Sequence, residues 1–96
     1  MLIAKVIGTT VSTIKDEKLE GRKLLILRQT DETGEPSGKP YVAVDTVDAG
    51  IGDLVLTAAG SSARQTNITK DTPVDAVIMS VIDSLEVEGK VVFRKS

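Results

Sequence analysis

Apolar positions along this chain fall into short runs rich in β-branched residues, each closed by a cluster of glycine, proline and polar residues. Such a pattern predicts successive strands and turns. Leu2 to Ile14 reads as strand one, with Gly8 placed where a bulge or sharp bend would let a long strand curve. The charged stretch Lys15 to Gly21 reads as an exposed connection, and Leu24 to Arg28 as strand two. Thr30 to Pro40 is dense in Gly, Pro and turn-forming polar residues and is predicted as a loop. Tyr41 to Asp45 is strand three, Asp48-Ala49-Gly50-Ile51-Gly52-Asp53 turns the chain on two glycines, and Leu54 to Ala58 is strand four. A polar stretch then runs from Gly60 to Thr72-Pro73.

Residues Val74 to Val87 carry two conflicting signals. Val74, Val77, Ile78, Val81, Ile82 and Leu85 recur at helical i, i+3, i+4 spacing, which favours an amphipathic helix. The β-branched density and a turn at Glu88-Gly89 leading into Val91-Val92-Phe93 favour strands. The reading adopted is a short helical turn after Pro73, which suits a first helical position, passing into a strand. The sum is an all-β chain, a small OB-like β-barrel of five to six strands with a short helical turn, forming one domain over residues 1–96.

Composition narrows the function. The 96 residues hold no Cys and no His, so disulfides and the usual zinc and iron ligand sets are excluded, as are Ser-His-Asp and Cys-His nucleophiles. One Tyr and one Phe leave little aromatic mass for a core, and a small domain short of core energy commonly gains it by oligomerisation. No apolar run approaches the ~18 residues of a membrane span, and Met1 to Lys5 opens into an alternating pattern without a leader, so a soluble cytoplasmic protein is expected. With a net charge of −2 and both signs interspersed, nothing draws the whole chain to nucleic acid or to a membrane.

Carboxylates are the remaining candidates for chemistry. Asp45, Asp48, Asp53, Asp75 and Asp83 lie beside apolar runs, where most Asp residues are solvated or bond a local turn. Gly50-Ile51-Gly52 lacks the third glycine of a dinucleotide fingerprint, and no Gly-Lys-Ser/Thr occurs, so no cofactor is expected. Tyr41 and Phe93 are all that an OB barrel could offer for stacking bases. The segment Gly60-Ser61-Ser62-Ala63-Arg64 has two readings. One is an ordinary surface loop with Ser caps and an Arg ion pair; the other is a close-packed loop near a symmetry axis, where small residues let identical backbones approach.

Taken in order, several segments resemble the EutN/CcmL family of bacterial microcompartment vertex proteins. They are Ala4 to Thr13, Gly21-Arg22-Lys23-Leu24-Leu25, Ala43-Val44-Asp45, Ala49 to Leu56, Gly60-Ser61-Ser62-Ala63-Arg64, and Pro73-Val74-Asp75 with Val81-Ile82-Asp83. The resemblance implies an OB-like barrel assembling as a homopentamer around a narrow pore. It would cap the five-fold corners of a cytoplasmic shell tiled by hexameric shell proteins. It also implies that Gly60, Ser61, Ser62, Ala63 and Arg64 lie near the axis, with Ser61 and Ser62 at the pore rim and Arg64 bonding within or between subunits. Two rivals stand beside it: an OB-like binding module for nucleic acid or a small ligand, and an enzyme dependent on its Asp residues.

Overall fold

Among the described residues the chain forms seven strands: β1 (Leu2–Thr9), β2 (Lys23–Thr30), β3 (Pro36–Asp45), β4 (Leu54–Ala59), β5 (Ala76–Val81), β6 (Ser84–Val87) and β7 (Lys90–Arg94). The structure, a computed structural model, describes residues 1–10, 22–59 and 76–95. Strands β1 to β5 close a barrel in the order β1-β2-β3-β5-β4, with β1 completing the circle against β4. This is an OB-like arrangement. Strands β6 and β7 form a separate two-stranded sheet.

Inward-facing residues of every barrel strand build the core. Ala4, Val6, Leu25, Leu27, Ala43, Val55, Ala76 and Ile78 pack together with Ala49 and are at most 4% exposed. Val44, Ala58 and Val77 form a second buried cluster with Leu24 against it. Ala43 and Val44 are successive residues, so β3 is covered on both faces at its C-terminal end. There it meets β5 in parallel, at Val44↔Val77 and Asp45↔Ile78. Continuous burial of this kind is typical of parallel pairing.

The bulge expected at Gly8 is present: Val6 pairs with Leu27 and Gly8 with Ile26, leaving Ile7 as the extra residue. The predicted loop Thr30 to Pro40 is shorter than expected, because β3 already begins at Pro36 and runs through Pro40 opposite Arg28. Among the described residues β3 pairs with β5 only at Val44 and Asp45, so its earlier part is an edge strand, where proline is tolerated. The true turn is Asp31 to Glu35. Asp31 Oδ1 accepts hydrogen bonds from Thr33 N, Thr33 Oγ1 and Glu35 N, at 2.8, 2.7 and 3.1 Å. These bonds hold the Asp31 carboxyl below the usual range, that from the Thr33 hydroxyl most of all. Gly34 has φ +91°, and a Cβ there would stand 2.8 Å from Leu54 Cδ1. Only glycine lets this turn lie against Leu54 without strain.

No helix occurs among the described residues. The short helical turn expected after Pro73 falls on residues 73–75, outside them. The strand expected next is β5, and the helical spacing of Val77, Ile78, Val81 and Ile82 is carried by extended chain. Ala76, Val77 and Ile78 are all buried, so a strand covered on both faces produces an apolar run that mimics helical periodicity. The barrel has five strands, within the expected five to six, and among the described residues two more lie beyond it. Glu88 and Gly89 make the β6–β7 turn with φ 53° and 79°, both positive as a two-residue type I′ hairpin turn requires.

Candidate functional site

Gly60, Ser61, Ser62, Ala63 and Arg64 lie outside the described residues, as does Asp75. Gly60 nevertheless follows Ala59 directly, and Ala59 belongs to a groove of about 460 Å³ with Leu2, Gln29, Lys39, Tyr41, Val42 and Ala76. The chain therefore leaves β4 and re-enters β5 at the lip of one apolar groove. Tyr41 is tied across it, its hydroxyl 2.9 Å from Thr57 Oγ1. Val42 is 47% exposed on the edge portion of β3. An exposed strand edge with apolar side chains invites pairing or packing against another chain.

Of the aspartates that stand as candidates for chemistry, Asp45 and Asp53 bond turn backbone through their carboxylates, and Asp48 pairs with Lys23. Asp45 is buried at the end of β3; its Oδ1 accepts from Val47 N at 3.0 Å and its Oδ2 from Ala49 N at 3.0 Å. Lys23 Nζ, at the start of β2, stands 3.3 Å from Asp45 Oδ2 and 2.8 Å from Asp48 Oδ1, and donates to Ala49 O at 3.2 Å. The Asp48 bond raises the Lys23 ammonium and holds the Asp48 carboxyl below its usual range. Asp53 Oδ2 accepts from Gly50 N at 2.9 Å, closing the next turn. Asp83 supplies its backbone carbonyl to Lys95 N at 2.8 Å. Among the described residues no three acidic side chains gather as a metal site.

The turn from Gly50 to Asp53 is fixed to the barrel from both sides. Gly52 N donates to Val6 O at 2.8 Å, Val6 N to Asp53 O at 2.9 Å, and Asp53 N to Gly50 O at 3.0 Å. On this turn Ile51 is 69% exposed. Beside it, Leu54, Phe93, Arg94 and Lys95 line a shallow groove against β7. The glycine pattern pointed to this turn but gave no sign that it holds up an apolar side chain. Both aromatics are committed to the fold, Tyr41 through Thr57 and Phe93 beside Gly34 and Leu54.

What these residues offer is surface: a strand edge unpaired among the described residues, an apolar groove, and an exposed isoleucine on a hydrogen-bonded turn. Residues 1–83 match the family described as "Ethanolamine utilisation protein EutN/carboxysome". The chain is 46% identical over 96 residues to the carboxysome shell vertex protein CcmL of Nostoc sp., covering 99% of this chain and 95% of that one. It is 44% identical over 86 residues to the bacterial microcompartment shell vertex protein GrpN of Rhodospirillum rubrum, covering 90% and 97%. The solved structure of GrpN, described as a pentameric microcompartment shell protein, superposes with TM-score 0.79 over 91% of this chain and 99% of its own. A solved ethanolamine utilization protein, EutN, gives TM-score 0.90 at 38% identity with both chains fully covered. The chain belongs to the EutN/CcmL family.

Proposed function

We propose that the chain is a structural vertex protein of a bacterial microcompartment shell, assembling as a homopentamer that caps five-fold corners between hexameric shell proteins. The observation that carries this reading is the nearly end-to-end match to several relatives described as shell vertex proteins, at 40–46% identity. Geometry supplies the mechanism. A flat hexagonal layer cannot close on itself, and a five-fold unit at each corner introduces the missing curvature. A ring of five is a closed heterologous assembly, in which one face of each subunit meets a different face of the next. The role is architectural, and two of the candidate carboxylates, Asp45 and Asp53, are committed to holding turns.

The Gly60 to Arg64 segment is assigned to the neighbourhood of the five-fold axis, with Ser61 and Ser62 at the pore rim and Arg64 bonding within or between subunits. Small side chains suit close approach of identical backbones there, and a guanidinium supplies directional bonds. Native mass spectrometry of Arg64→Ala tests the placement. A reduced fraction of five-membered rings is expected, and an unchanged ring removes Arg64 from the interface. The vertex role is tested by expressing a hexameric shell protein with and without this chain and imaging the products by electron microscopy. Closed polyhedra are expected only when the chain is present. Equal numbers of closed shells in its absence would overturn the reading.

A further inference from the structure

We draw no further inference here: the strongest candidate, the apolar groove lined by Leu2, Tyr41, Val42, Ala59 and Ala76 beside the edge portion of β3, carries nothing, because nothing in the structure shows what covers it.

Discussion

Replacing Leu27 with alanine is expected to cost about 3–5 kcal/mol of stability, the range for a fully buried leucine whose site cannot collapse. Leu27 is 0% exposed and sits on β2 opposite Val6 and Tyr41, where the barrel is closed by its β1 and β3 neighbours. The backbone on both sides is held in the ladder, so little can move into the void. A chain of 96 residues has a total stability of only about 5–14 kcal/mol. The substitution therefore removes a large share of it, with a fall of about 12–25 °C in thermal midpoint. Circular dichroism melting at a fixed protein concentration measures this, because assembly makes the midpoint concentration-dependent. A loss below about 1 kcal/mol would mean that the barrel interior is not what holds the fold.

Asp45→Ala is expected to be nearly as damaging, by about 3–5 kcal/mol, for a different reason. The carboxylate is the shared acceptor for Val47 N, Ala49 N and Lys23 Nζ, and its side chain is fully buried. Deleting it leaves two backbone donors without their partner at the point where β3 and β5 close the barrel. Lys23 retains Asp48 and the Ala49 carbonyl, so the loss comes chiefly from the backbone donors. Asp45→Asn keeps the volume and one acceptor oxygen but turns an amide N–H₂ toward a donor, and an intermediate loss is expected. Chemical denaturation of the three proteins gives the ranking. An Asp45→Ala chain as stable as wild type would show that the Asp45 bonds contribute nothing net.

These two residues also mark what the sequence made legible. The strand containing Leu27 stands out because Leu24 to Arg28 is a short apolar run between charged segments, and Gly8 announced the bulge opposite it. The Glu88-Gly89 turn was visible because positive φ at both central positions favours few residue types. Asp45 was visible only as an aspartate near a strand end. Its bonds to the second and fourth residues onward are local, but its burial arises from the non-local pairing of β3 with β5, which no pattern within either strand encodes. The same pairing explains why the apolar spacing around β5 also fits a helix, since burial on both faces erased the alternation that identifies a strand. Pro36 and Pro40 signalled a loop locally and belong to an edge strand globally.

For the functional surface the balance is different. Composition alone removed the histidine and cysteine chemistries and made self-association plausible for a barrel with one Tyr and one Phe. The ordered segments that resemble the EutN/CcmL family directed attention to residues 60–64, which lie outside the described residues. The exposure of Ile51 was not legible because an exposed apolar side chain leaves no periodic signature; its exposure is set by neighbours distant in sequence. Architecture thus follows from local patterns more readily than does the surface on which subunits meet.

The central claim is that five copies of this chain form one closed unit. Native mass spectrometry of the purified wild-type protein tests it most directly. A dominant species of about 51 kDa, five chains of 10.2 kDa, is expected, stable to dilution into the low micromolar range. A stable monomer, or a closed ring of any other number, would contradict it.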